Sequence, residues 1–180
     1  EAREAVRAHV PRTLRLECLH GHAYLKPHGY AGDFLLIDRI YTHWLSPHRE
    51  LARHDEYFQS SAASMAVRNR KSFVKHLLMD LAERTDGRPA QVLNIGSGPA
   101  RDIFEFFSEW PDAPVFVHCV DADSRAIEYA SALCGTFADR VDFEQGNVLR
   151  LRLHKAYDLI WSAGLFDYLN DHWSRTLATR

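Results

Sequence analysis

Cysteine is scarce in this sequence, and what there is does not pair. Cys18, Cys119 and Cys134 are odd in number and far apart. They fit neither a disulfide framework nor a zinc-ligand spacing, and they read as reduced thiols. Long apolar runs are also absent. None approaches the roughly 20 residues that a membrane-spanning helix requires, and the opening EAREAVRAHV is charged throughout, unlike a secretory leader. Excess positive charge is missing: 22 basic against 24 acidic side chains leave a net charge of -2. That is no electrostatic footprint for nucleic acid or an anionic membrane. Internal repeats and low-complexity tracts are missing too. These absences argue against nucleic-acid partners and an integral membrane segment, and they lead us to expect a cytoplasmic protein. What remains is 46% hydrophobic and 12% aromatic over 180 residues, enough for one cored domain with an appendage.

Histidine is not scarce. His20 and His22 are separated by one residue and His28 follows, among eleven in all. No Cys/His or H-E-x-x-H pattern supports them, so no metal site is expected.

The pattern changes near Gly87. Before it the periodicity is helical. Asp33 caps a predicted helix through Phe34, Ile37, Tyr41 and Trp44. Ser46-Pro47 reads as an N-cap and first helical residue, opening a helix to about Phe58. A third helix starts near Ser61, carries Val67, Val74, Leu77, Leu78 and Leu81, and ends at TDGRP, Thr85 to Pro89. The first thirty residues read as helical, with a break near Pro11. After Gly87, strands are expected at Gln91–Ile95, Pro114–Val120, Val141–Gln145 and Tyr157–Ser162. Helices are expected at Pro99–Trp110, Asp123–Cys134 and from about Leu165. Strands alternating with helices predict an α/β fold, a Rossmann-like doubly wound parallel sheet. Residues 1–87 are expected to form a helical lid and residues 88–180 the ligand-binding domain.

The stretch VLNIGSGPARD, Val92 to Asp102, sits at the end of the first expected strand. There Gly96, Ser97 and Gly98 permit unusual dihedrals and close backbone approach by a ligand, and Pro99 suits the first turn of the next helix. A tight connection without a ligand is the plainer reading. Asp121 ends the second strand, where a carboxylate meets ribose hydroxyls; Asp123 is the better helix cap. A nicotinamide dinucleotide and S-adenosylmethionine both carry ribose, but three features separate them. The third glycine of G-x-G-x-x-G is replaced by Arg101. Asn94 is polar in a strand that should be apolar on both faces. Asn147, in QGNVLRL, suits an adenine edge, although a turn former after glycine reads equally well.

The segments VLNIGSGPA, VDADSRAIEYA, VDFEQGNVLRL and YDLIWSAGLFDYL, in this order and spacing, resemble the class I S-adenosylmethionine-dependent methyltransferases. The resemblance implies that Gly96, Ser97 and Gly98 line the methionine and ribose. It implies that Asp121, with Ala122 beside it, holds the ribose hydroxyls, and that Asn147 and Val148 flank adenine. Ser162 and Ala163 would face the methyl donor. Asn94 replaces the family's usual acid, and Asn147 its common Asp. KPHGYAGDFLLIDRIY and AVRNRKSFVKHLL further resemble the bacterial extracellular-factor 3-hydroxypalmitic acid methyl ester biosynthesis group. That resemblance implies a fatty-acid carboxylate as methyl acceptor and a diffusible signal as product.

A carboxylate needs no general base, because its ordinary pKa of about 4 leaves it ionised at neutral pH. SAGLFDY lacks the Asn/Asp-Pro-Pro-Tyr/Phe motif of many nucleobase and amide methyltransferases, which favours an oxygen nucleophile. Arg68 and Arg70 are the carboxylate partners to consider, against a solvated basic face shared with Lys71. Tyr30 and His28 lie in the Gly-flanked loop H-G-Y-A-G, a cofactor cover or a plain turn. Tyr168 and Asp167 follow the fourth strand and stand as substrate-facing residues. Two rivals remain: an NAD(P)-dependent oxidoreductase, and a non-catalytic module that keeps the fold. The expected sheet ends at an apolar strand, YDLIWSA, with an open edge that proteins avoid. The sequence is therefore expected to be part of a longer chain, with a homodimer partner as the other way to cover that edge.

Overall fold

The computed structural model describes residues 4, 13–85, 87–151 and 156–179. The expected break near Pro11 lies outside them. The chain divides into two compact units, Glu1–Arg70 and Lys71–Arg180. The division falls inside a helix, ahead of the change of pattern at Gly87. Helical periodicity runs unbroken through it, so the sequence carries no mark there.

In the first unit, α1 spans Leu19–Leu25, α2 Phe34–Tyr41 and α3 Arg49–Ser60, followed by the start of α4, Ala62–Arg84. Asp33 caps α2 as expected, accepting from the backbone N–H groups of Leu35 and Leu36. The helix stops at Tyr41, however. His43 takes a left-handed conformation (φ 52°), and Trp44 lies beyond it under the Arg39 guanidinium, 4.4 Å from the ring centroid. Nor does Ser46 cap α3, whose N-cap is His48. Ser46 is instead buried, and its N–H donates to Asp55 Oδ2 at 2.8 Å. Asp55 Oδ1 accepts from the Leu19 N–H at 2.7 Å, so one fully buried carboxylate ties two loop ends together. Leu19, Leu36 and Ile40 form the core, with Ala23, Trp44, Phe58 and Val67 packed against it.

In the second unit, β1 (Ala90–Ile95), β2 (Val115–Asp121), β3 (Val141–Gln145) and β4 (Leu159–Trp161) form a parallel sheet in the order β3-β2-β1-β4. The intervening helices are α5 (Arg101–Glu109) and α6 (Ser124–Leu133), and α7 (Asp171–Ala178) follows β4. One face packs Val92, Val115, Val117 and Cys119 under Val74 and Leu78 of α4 and Ile103, Phe106 and Phe107 of α5. The other face sets Leu93, Ile95 and Val120 against Val148, Leu165 and Leu177. Burial on both faces is what the near-continuous apolar strands demand. The helix expected from Leu165 begins with a 3-10 turn, Leu165–Tyr168, and α7 starts only after Asn170 caps it. Among the described residues no helix is long and apolar enough to cross a membrane.

Where β4 joins β1, Arg88 forms a forked pair with Asp158, at 2.5 and 2.8 Å, and the Gln91 N–H adds a third bond to the same carboxylate. The Arg88 hydrogen bond, then that N–H, holds the Asp158 carboxyl well below the usual range. A carboxyl depressed by folding adds stability above its ordinary pKa, and that stability is lost as pH falls below it. We predict that the urea midpoint of the wild type drops more steeply than that of Arg88→Gln between about pH 4 and pH 2. Parallel slopes would contradict this.

Candidate functional site

Strand order reverses at β1, where β2 lies on one side and β4 on the other. Carboxyl ends of parallel strands at such a reversal leave a crevice. The turn after β1 lies there. Gly96 (φ 64°), Gly98 (φ 54°) and Ala100 (φ 49°) are all left-handed. A β-carbon on Gly96 would meet Leu165 Cβ at 3.2 Å, whereas one on Gly98 would meet nothing within 4 Å. Gly96 is therefore needed for space as well as dihedral, and Gly98 for dihedral alone. Ala100, fully buried, adopts the conformation that the sequence assigned to no non-glycine residue. It is the N-cap of α5, so Pro99 belongs to the turn and not to the helix as expected.

Asp121 closes this turn. Its Oδ2 accepts from the Gly98 N–H at 2.8 Å and its Oδ1 from the Asp123 N–H at 2.9 Å. Asp123 caps α6, accepting from the Arg125 N–H, which leaves Asp121 the task of joining two strand ends. Ala122 is exposed beside it. Asn147 starts a 3-10 turn, Val148–Arg150, by accepting from the Leu149 N–H at 2.9 Å. Its turn-forming role is therefore in the structure. Val148 packs on the Leu93, Ile95 and Val120 face.

Among the described residues, four buried polar atoms at these strand ends lack a hydrogen-bond partner: Asn94 Oδ1, Ser97 Oγ, Trp161 Nε1 and Ser162 Oγ. Buried polar atoms are nearly always paired, so these four call for a partner such as ordered water or a ligand. Asn94 and Trp161 face each other across the β1–β4 pair. Three of the four were legible as polar residues at strand ends. Trp161 was not, because its indole reads as core until its N–H is seen unpaired. Ala163 follows, half-buried.

The two thiols of the second unit are buried in its core. Burial pushes Cys119 well above its ordinary pKa, and burial followed by the neighbouring Asp102 charge pushes Cys134 up to about 12. Both stay protonated at neutral pH.

Of the residues considered for the acceptor, Tyr30, Arg68 and Arg70 belong to the first unit. Arg68 donates at 2.7 Å to Gln59 Oε1 and at 2.7 Å to the Gln59 carbonyl. Arg70 Nε is buried without a partner. Tyr168 and Asp167 are exposed on the 3-10 turn after β4. His22, His28 and Asp33 offer ligand atoms within 4.8 Å of one another, a grouping that the spacing of His20 and His22 did not reveal. His22 Nε2 lies 2.9 Å from both Asp33 oxygens, and Arg39 Nη1 lies 3.1 Å from Nδ1. The arginine can only donate, so Nδ1 accepts and Nε2 donates to Asp33. His22 is thereby closed by protein partners. His20 stands apart, edge-on to Phe58.

Residues 92–179 match the family model of a methyltransferase domain. A solved structure from Bordetella parapertussis, described as a possible exported protein, shares 21% identity at a TM-score of 0.67, covering 88% of this chain and 54% of that one. The chain thus spans about half the length of that protein. An S-adenosylmethionine-dependent methyltransferase from Thiobacillus denitrificans, in complex with S-adenosyl-L-homocysteine, shares 17% identity over 62% of this chain and 42% of that one, with a TM-score of 0.47. One from Geobacter sulfurreducens, with the same ligand, shares 17% over 61% and 42%, with a TM-score of 0.45. No curated protein sequence matches this chain. The α/β fold is the one this chain shares with the Bordetella parapertussis structure.

Proposed function

We propose that this chain, whose residues 92–179 match the family model of a methyltransferase domain, is an S-adenosyl-L-methionine-dependent methyltransferase that esterifies the carboxylate of a small-molecule or fatty-acid substrate. S-adenosyl-L-methionine is its cofactor. The observation that carries this is the left-handed turn Gly96–Gly98 held by Asp121 at the strand reversal. The backbone there is open to close approach at Gly98, and a carboxylate stands beside it with two of its four lone-pair sites in use. A nucleoside ribose fits that acceptor. A dinucleotide is not favoured: Arg101 stands where the third glycine would be, and it opens α5.

The bound cofactor supplies an electrophilic methyl group. The chain's task is to hold donor and acceptor in line and exclude water. For a carboxylate acceptor no residue need take a proton. Arg70 is the arginine offered for that carboxylate, because Arg68 is already held by Gln59. The 3-hydroxy fatty acid as acceptor rests on the resemblance of Lys26–Tyr41 and Ala66–Leu78 to the methyl ester biosynthesis group. A diffusible signal as product rests on it as well.

Incubating the protein with labelled methyl donor and a panel of 3-hydroxy fatty acids tests this reading. The expected product is a labelled ester that alkali hydrolyses, formed at rates that hold below pH 7, since no base near neutrality must be deprotonated. Arg70→Met should cut ester formation roughly ten- to hundredfold while leaving cofactor affinity unchanged. An alkali-stable product, or a sharp fall in rate below pH 7, would indicate an amine or phenol acceptor instead.

A further inference from the structure

Phe73 stands apart from its neighbours on α4. Val74 and Leu78 are buried in the core, yet Phe73 is 60% exposed. Its ring lies 6.1 Å from that of Trp161, centroid to centroid, at a tilt of 36°. Trp161, the last residue of β4, is packed against the α4–sheet–α5 core, so it backs one side of the Phe73 ring and leaves the rest in solvent. Arg70 comes three residues before Phe73, and the half-buried Leu77 four residues after it. Residues at such spacings share a helix face. Arg70, Phe73 and Leu77 therefore form one row along the unbroken helix α4, about 10 Å long. Asp80 is next in that row and exposed, and its charge ends the apolar part.

The other cations on this half of α4 are engaged. Arg68 is held by Gln59, Lys71 by Glu105, and Lys75 by Glu105 and Glu109. Arg70 differs, because its Nε is buried and has no partner. The row thus begins with an unsatisfied guanidinium donor and continues as an apolar strip. A single exposed ring needs no explanation by itself; a ring placed one turn beyond such a donor does.

We infer that Phe73 and Leu77 hold the alkyl chain of the methyl acceptor, with Arg70 at its carboxylate, so that Phe73 sets which acids are methylated. The inference rests on the proposed carboxylate acceptor and deepens it. An alkanoate has the shape and chemistry of the row: an anionic head for the guanidinium and a narrow apolar tail for the strip beyond it. A protein partner does not fit, because a stable interface takes about 800 Å² from each side. The other exposed large hydrophobic residues of the second unit, Ile160, Phe166, Tyr168 and Trp173, lie on β4 or after it, not on α4. With the head held, a carboxylate oxygen forms the new C–O bond as the sulfonium C–S bond breaks, the electron pair staying on sulfur and no proton moving. Phe73 takes no part in that step. Its contribution is apolar contact, which grows with each methylene buried.

The test measures ester formation on 3-hydroxybutanoate, 3-hydroxyoctanoate and 3-hydroxytetradecanoate. In the wild type kcat/KM should climb with chain length. Phe73→Ala should cut the ratio of kcat/KM for the longest acid over the shortest roughly tenfold, and Phe73→Leu should restore most of it. A defect of folding or of the cofactor turn lowers both acids alike and leaves that ratio in place. A second reading needs no substitution and stands if a variant fails to fold. In the wild type saturated with S-adenosyl-L-homocysteine, the Phe73 ring-proton resonances should shift on adding 3-hydroxytetradecanoate and stay in place on adding 3-hydroxybutanoate. An unchanged ratio in Phe73→Ala, or unmoved ring resonances in protein saturated with the long acid, would overturn the inference while leaving a carboxylate acceptor intact. A wild type that esterifies none of the three acids would overturn the function on which it rests.

Discussion

Asp121→Ala is expected to weaken S-adenosyl-L-methionine binding by about 1.5–3 kcal/mol, or roughly ten- to hundredfold. Two effects act together. The first is loss of charge-assisted hydrogen bonds to ribose hydroxyls, which are stronger than neutral ones. The second is release of the turn, because Asp121 Oδ2 holds the Gly98 N–H and Oδ1 the Asp123 N–H. A ligand series separates them. A donor analogue lacking the 2′-hydroxyl should bind the wild type more weakly than the parent does, yet bind Asp121→Ala about as well as the parent does. That non-additivity marks a direct contact. If the analogue loses the same affinity in both proteins, Asp121 only supports the turn. Thermal unfolding of the variant checks that the fold survives.

Phe106→Ala is expected to lower unfolding free energy by about 3–5 kcal/mol. Phe106 is fully buried in the α4–sheet–α5 layer. Its ring sits edge-on to Phe107 at 5.1 Å between centroids and 5.4 Å from Trp110. Removing it leaves a cavity bounded by rigid aromatic and β-branched neighbours that collapse poorly. Domains of this size are stable by roughly 5–15 kcal/mol, so the loss is a large fraction of the total. Phe104→Ala, on the same helix but only partly buried, should cost clearly less. Urea unfolding of both variants provides the comparison, and a loss below about 1 kcal/mol for Phe106→Ala would contradict the packing described.

What could be read from the sequence was local. Asp33 before Phe34 and Asp123 before Ser124 announce helix starts because their side chains bond backbone only two or three residues away. The largely apolar runs Val92–Ile95 and Val115–Val120, each broken by one polar residue, announce strands because both faces are covered. The turn at Gly96 was legible because a glycine pair between an apolar run and a helix has few other uses. What could not be read depends on partners distant in sequence. Trp44 was placed on α2 by its spacing, but the left-handed His43 ends that helix first. Ser46 has the chemistry of a cap, yet its N–H belongs to Asp55. The unit boundary at Arg70 lies inside α4, where periodicity continues. Asn94 and Ser97 were legible as polar residues in an apolar setting. Trp161 stands out only through its buried indole N–H, which has no partner among the described residues. The cluster of His22, His28 and Asp33 joins α1 to the loop before α2, a contact that no spacing rule encodes.

The turn Gly96–Gly98, Asp121 and the ends of β1 and β4 are proposed to form one S-adenosyl-L-methionine site. Titration calorimetry of the intact chain with S-adenosyl-L-methionine, NAD and NADP tests it most directly. Saturable one-to-one binding of S-adenosyl-L-methionine is expected, weakened in Asp121→Ala, with no heat from either dinucleotide. Saturable binding of NAD or NADP with none of S-adenosyl-L-methionine would contradict it.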